Sequence, residues 1–146
     1  MIDWLEVAIE DLKNYRDMIE EQQDLADRLE ELEYKYQSVA SSPTENTRVQ
    51  GGKMSREDFL INNITERERL KCELAANKKL IAITERVILT LPEEERIILQ
   101  YIYIDKRKKA IQALIDELSV EQSQIYRMKD KAIMSFTCAM YGVREY

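Results

Sequence analysis

Residues 110–133 read AIQALIDELSVEQSQIYRMKDKAI, and this stretch decides the fold. Ala110, Ile111, Leu114, Ile115 and Leu118 recur at the three- and four-residue steps of an amphipathic helix. Ile125, Met128, Ala132, Ile133 and Phe136 repeat the pattern as the inward face of a second helix. Ser119 sits in the break between them. With Gln122 three residues later it reads as a capping box, and Gly142 is a natural stop. Upstream, Pro92 suits the first turn of a helix, and Glu93, Glu94 and Glu95 complement the dipole there. Ile97, Ile98, Tyr101 and Ile102 give that supporting helix an apolar face, and Asp105-Lys106-Arg107-Lys108-Lys109 forms a basic connection. Two short helices joined by a turn of about three residues, behind a supporting helix, describe a helix-turn-helix.

Further out, residues 3–37 contain no Gly or Pro. Leu5, Leu12, Ile19 and Ala26 repeat every seven residues, Ala8, Tyr15, Leu29 and Tyr36 supply most alternate positions, and Gln22 interrupts them. Ile9, Leu25 and Leu32 widen the stripe. The pattern predicts one long amphipathic helix of roughly 50 Å. Residues 38–54, with Ser41, Ser42, Pro43, Gly51 and Gly52, read as a loop. Ser55 followed by Asp58 resembles a capping box. Beyond it, Phe59, Leu60, Ile64, Leu70, Leu74, Leu80, Ile81, Val87, Ile88 and Leu91 trace a second stripe, running as a helix to about Thr90. Two helices of matched length joined by a reversing loop predict an antiparallel hairpin. The expected layout is all-α: a helical hairpin over 1–90 with its loop at 38–54, then a helix-turn-helix head over 91–146.

Composition agrees with a helical protein. The chain has 146 residues, 34% charged and 45% hydrophobic, with 3 Gly and 2 Pro. No apolar run approaches the ~20 residues that span a bilayer, so no membrane association is expected. The first residues lack the basic and apolar stretches of a secretory signal. Cys72 and Cys138 lie far apart inside helical patterns and read as buried free thiols rather than as a disulfide or metal site, which suits a reducing cytoplasm. The chain has no His, which removes the commonest general base and metal ligand. Gly51-Gly52 lacks a P-loop context. No catalytic residue, metal or cofactor is expected, and an enzyme is a poor hypothesis.

Charge is uneven. Residues 1–37 carry 12 Asp/Glu against 4 Lys/Arg, a net of −8. Arg96–Arg144 carries 9 basic and 5 acidic residues, a net of +4. Binding phosphate needs a local basic face rather than a basic protein. With the inward positions removed, Gln122, Ser123, Gln124, Tyr126, Arg127, Asp130 and Lys131 remain outward on the second helix of the motif. Gln can pair with adenine edges and Arg with guanine edges. Lys106, Arg107, Lys108, Lys109, Lys129 and Lys131 are candidates for phosphate contacts. From spacing alone, a generic helical bundle fits these residues as well as a DNA-binding head does.

The stretches Leu91–Leu99, Ala110–Glu117, Leu118-Ser119-Val120 and Ile125–Ile133 resemble region 4 of bacterial sigma factors, which reads the −35 promoter element. The likeness covers about 50 residues, one third of the chain. The whole layout resembles the small phage proteins of the RinA/ArpU type, regarded as regulators of phage or prophage genes. The resemblance implies that Gln122, Ser123, Tyr126 and Arg127 read bases. Several positions depart from the pattern: two of the base-reading positions are neutral and short where sigma factors carry longer charged side chains, and Ile115 and Ser119 differ as well. Ile115 stands where the family usually has a small residue, and a bulkier side chain should push the helices apart. Ser119 stands where it usually has Gly, and Ser tolerates positive φ poorly. No segment resembles the sigma region that melts promoter DNA, so a complete sigma factor is not expected.

The resemblance leads to a transcription regulator in the host bacterial cytoplasm. It would bind double-stranded promoter-region DNA, with the hairpin serving as a homo-dimer stalk or a surface for host RNA polymerase. Two other readings compete. One is an acidic coiled-coil protein-interaction adaptor with a degenerate head. The other is a small DNA-packaging recognition subunit.

Overall fold

A computed structural model describes residues 1–42 and 55–142. The fold is all-α. Helix α1 spans Trp4–Lys13, α2 Tyr15–Ala40, α3 Arg56–Leu89, α4 Glu93–Leu99, α5 Ala110–Leu118 and α6 Gln122–Tyr141, with a π-helical turn at Gln100–Ile104. Contacts divide the chain into two compact units. One joins Met1–Ile19 to Leu80–Tyr146, and the other is Glu20–Lys79. The boundary therefore does not fall at residue 90, where the sequence placed it.

The first unit holds the main core. Ala8 and Leu12 of α1, Val87 and Leu91 near the end of α3, Ile98 and Leu99 of α4, Leu114 of α5, and Ile125, Ala132, Ile133 and Phe136 of α6 form one apolar cluster. Helix α1 starts where the Asp3 carboxylate accepts hydrogen bonds from the amides of Leu5 at 3.1 Å and Glu6 at 3.2 Å. Its far end is tied down by the Tyr15 hydroxyl, which donates to Glu85 at 2.5 Å. Burial and the Glu85 carboxylate push the Tyr15 hydroxyl up to about 12. Asp105 accepts from Arg16 and, at 2.8 Å, from Gln100 Nε2.

The single long helix expected over 3–37 is two helices. Asn14 separates them with φ −90° and ψ −2°. One stripe of partly or fully buried positions runs Leu5, Ala8, Leu12, Tyr15, Met18, Gln22, Leu25, Leu29, Leu32, Tyr36 and Val39. The steps alternate between three and four residues except at Tyr15, where two steps of three follow one another. Such a skip overwinds the stripe. It turns Met18 and Leu25 inward and leaves Ile19, an expected seam residue, 43% exposed. Helix α2 also continues to Ala40, three residues into the expected loop. Ser41 and Ser42 follow as a turn, and 43–54 lies outside the described residues.

The second unit pairs the later part of α2 with the earlier part of α3, antiparallel as expected. Arg56 donates to the Val39 and Ala40 carbonyls at 3.3 and 2.6 Å, satisfying acceptors that the end of α2 leaves open. Asn63 Nδ2 donates to the Leu32 carbonyl at 2.9 Å, and Arg28 pairs with Glu66 at 3.3 Å. The Arg67 guanidinium lies 4.7 Å from the centre of the Tyr36 ring. Ser55 caps α3, its hydroxyl accepting from the Asp58 amide at 3.1 Å. The inward face of α3 differs from the expected stripe. Asn63 is buried, Asn77 half-buried, whereas Ile64 is 42% exposed. Polar residues hold part of the seam, and reading hydrophobicity alone selected their apolar neighbours. Cys72 is exposed and Cys138 half-buried, and both thiols are free. The expectation of buried thiols fails at Cys72, which faces away from this seam.

The supporting helix also ends differently. The π turn adds a residue to the last turn of α4, and the Asp105 amide bonds the Gln100 carbonyl at 2.7 Å. That rotation sends Tyr103 and Ile104 into the core and leaves Tyr101 and Ile102 half-buried.

Candidate nucleic-acid interface

Helix α5 ends at Ser119, whose backbone is left-handed at φ 55° and ψ 46° and whose amide bonds the Ile115 carbonyl at 2.9 Å. Ser therefore takes the conformation that a glycine favours at a helix end. It has no role in starting α6. Glu121 is the residue that precedes α6, with extended φ −75° and ψ 158°, and no side chain caps that helix. The capping box expected from Ser119 and Gln122 is absent because Ser119 is used to stop the preceding helix. Ile115 is half-buried against the core.

Helix α6 is sharply two-faced. Ile125, Ala132, Ile133, Phe136 and Thr137 are buried, and Met128 is half-buried. Gln122, Ser123, Gln124, Tyr126, Arg127, Asp130 and Lys131 are exposed. All four expected base-reading side chains therefore share the outer face of one helix whose other face is fixed in the core. Tyr126 is 44% exposed.

The expected phosphate contacts fall into two groups. Lys106, Lys108, Lys109 and Lys131 are exposed. Among the described residues, none of these four has an ion-pair partner. Lys106 and Lys109 have positive φ, 50° and 58°, so the basic connection is bent through two left-handed residues. Arg107 and Lys129 are engaged instead. The Arg107 guanidinium stacks 3.6 Å from the centre of the Tyr101 ring and approaches Asp105 at 3.5 Å. The Lys129 ammonium lies 5.7 Å from the centre of the Tyr126 ring.

Tyr101 in turn donates its hydroxyl hydrogen bond to Glu117 on α5, and that bond pushes its pKa up. Tyr101, Asp105 and Glu117 thus fix the basic connection against the start of the motif. None of the three is among the site residues expected from the sequence. The available signal was Asp105, a lone acid heading a run of four cations.

A group of three or more metal-ligating side chains does not occur among the described residues, and none of their helices is long and apolar enough to cross a membrane. No curated protein and no solved structure matches the chain. Residues 38–137, well over half of the sequence, match the model of a family described as a protein of unknown function (DUF1492), and the chain belongs to that family.

Proposed function

We propose that the protein is a phage or prophage transcriptional regulator that binds promoter-region DNA through α5 and α6. The observation that carries this reading is the outer face of α6. Gln122, Ser123, Tyr126 and Arg127 are exposed together on a helix whose opposite side is anchored by Ile125, Ile133 and Phe136. A recognition helix needs that division, because only a fixed helix can present side chains to base edges in register. Lys106, Lys108, Lys109 and Lys131 supply phosphate contacts, which strengthen binding without reading sequence. The role is one of binding, with no catalytic step, in the cytoplasm of a bacterial host.

Selection from random-sequence duplex DNA tests the reading. The full chain is expected to enrich one motif, and Arg127→Ala is expected to relax the preference at one base-pair step. Failure to enrich any motif, even at low salt, overturns it.

A second surface belongs to the same reading. The −8 charge of residues 1–37 repels DNA and suits a basic partner surface, for which host RNA polymerase is the natural candidate. Deleting those residues would remove Ala8 and Leu12 from the core of the first unit, so deletion is the wrong test. Glu20, Glu21 and Asp24 are exposed acids with no ion-pair partner among the described residues, and reversing them to Lys leaves the core residues in place and is expected to weaken binding to purified polymerase. Sedimentation of the full chain distinguishes a dimer, which would present two heads to paired half-sites, from a monomer.

A further inference from the structure

Glu95 is 7% exposed. Ser135 Oγ donates to its Oε1 at 3.3 Å, whereas its Oε2 is buried without a hydrogen-bond partner. A carboxylate oxygen in that position is costly unless a donor reaches it. Glu95 lines an open cleft of about 280 Å³ together with Glu94, Gln124, Arg127, Met128 and Lys131. Gln124, Arg127, Met128 and Lys131 follow the three- and four-residue steps that bring one side of a helix to a neighbour. Arg127 therefore belongs both to the exposed face of α6 and to the cleft that Glu95 lines. Neither Arg127 nor Lys131 makes a hydrogen bond or ion pair among the described residues.

We propose that Glu95 is a positioning residue for Arg127. On a duplex, Arg127 gives one edge of its guanidinium to Glu95 Oε2 and the other to the O6 and N7 acceptors of a guanine. The inference rests on the DNA-binding reading above and adds the residue that sets its specificity. The chemistry requires Arg at this position. A guanidinium is a planar fork with five N–H donors, so it can serve a carboxylate and a base edge at once. Lys131 reaches the same cleft as a compact point charge and can neutralise Glu95, but it cannot link the carboxylate to a base in a fixed plane. Holding Arg127 from behind reduces the side-chain freedom that would be lost on binding, and it confines the guanidinium to one direction. The exposed carboxylate of Glu94 at the same cleft disfavours a phosphate there, which leaves the site to a cation.

The test uses the full chain and the duplex enriched by selection, together with versions changed at each single base pair. Affinity ratios are measured for wild type, Glu95→Gln, Arg127→Lys and the double variant, with melting temperatures and salt dependence alongside. Glu95→Gln is expected to reduce discrimination about tenfold at one base-pair step while leaving the slope of log affinity against log salt unchanged. In the Arg127→Lys background, Glu95→Gln is expected to change nothing further at that step.

A uniform loss of affinity over all duplexes overturns the proposal, since that is what a purely structural role would produce. So does coupling of Glu95 to Lys131 rather than to Arg127, measured with Lys131→Ala. If Glu95→Gln melts too low for the assay, Glu95→Asp replaces it and keeps the charge at a shorter reach. Intermediate discrimination then supports the proposal, and unchanged discrimination overturns it. A wild type that distinguishes no duplex from another brings down the DNA reading and this inference together. A wild type that discriminates, with Glu95→Gln indistinguishable from it, brings down the inference alone.

Discussion

Tyr141 donates its hydroxyl hydrogen bond to Asp11, 130 positions earlier in the chain, and its ring lies 4.8 Å from that of Trp4 between centroids. Burial, followed by the Asp11 carboxylate, raises the pKa of this tyrosine well above its usual value. The relationship makes α1 part of the helix-turn-helix unit rather than the first turns of a separate stalk. Leu12→Ala, at a residue with 0% exposure, is expected to destabilise the first unit by about 3 kcal/mol. A fragment beginning at Leu91 lacks Ala8, Leu12 and Val87 and is expected to give no cooperative melt. Thermal unfolding by circular dichroism checks both, and a fragment that melts as sharply as the full chain would show that α1 is dispensable.

Ser119 holds a left-handed conformation that glycine adopts without a side-chain clash. Ser119→Gly is expected to stabilise the head by about 1 kcal/mol, less the added freedom of the unfolded chain. The expected sign is a rise in melting temperature of a few degrees, with the preferred DNA sequence unchanged. A fall in melting temperature would show that the Ser119 side chain contributes more than its backbone strain removes.

Two neighbouring cations are expected to behave differently. Lys108 has no ion-pair partner among the described residues, whereas Arg107 stacks on Tyr101 and pairs with Asp105. On the proposed DNA-binding role, Lys108→Ala should lower the salt slope of binding by about 0.9, the value for one phosphate contact, with melting temperature unchanged. Arg107→Ala should instead destabilise the protein by up to about 1 kcal/mol through loss of the stack, with a smaller change in slope. Salt titrations and melts of the two variants separate these outcomes, and equal salt slopes would count against the distinction.

Alkaline pH provides a further measurement. The Tyr15 hydroxyl titrates at about 12 in the folded protein, against about 10 when exposed. Between those values the folded chain retains a proton that the unfolded chain has lost, so unfolding releases it and stability falls as pH rises. The contribution is complete below about pH 10 and is lost as pH passes through about 12. Tyr15→Phe should be less stable than wild type at neutral pH, because the bond to Glu85 is gone, yet show a shallower decline across that window. Denaturant melts at stepped pH read the two curves, and parallel declines would remove Tyr15 as the cause.

The motif helices were legible because their inward residues are large, apolar and evenly spaced. Ile125, Ala132, Ile133 and Phe136 needed only a helical period to be placed. The skip at Tyr15 was not legible, since Ile19 continues the heptad better than Met18 does and only the packing decides between them. The polar part of the α3 seam escaped for a related reason. Asn63 is inward through its bond to the Leu32 carbonyl, and hydropathy gives no sign of that partner. Among the expected site residues, exposure followed from the helical period. The engagement of Arg107 did not, because it depends on a π turn that brings Tyr101 beneath the guanidinium. Glu95 read as one of three acids favourable to a helix start, and its burial required the position of α6.

The sharing of one core by α1 and α6 also determines the order in which a growing chain can fold. The α2–α3 pairing is local in sequence and can form while later residues are still being added. Ala8 and Leu12 share a cluster of buried residues that has no member between 13 and 86, so their apolar side chains stay uncovered until Val87, Leu91, Ile98 and Leu99 are made, and the cluster is complete only with Ile133 and Phe136. By then the paired hairpin has removed most of the loop that closure would otherwise have to bridge. The α2–α3 pairing thus shortens the path by which α1 meets the later helices, and α1 is the part most in need of protection during translation.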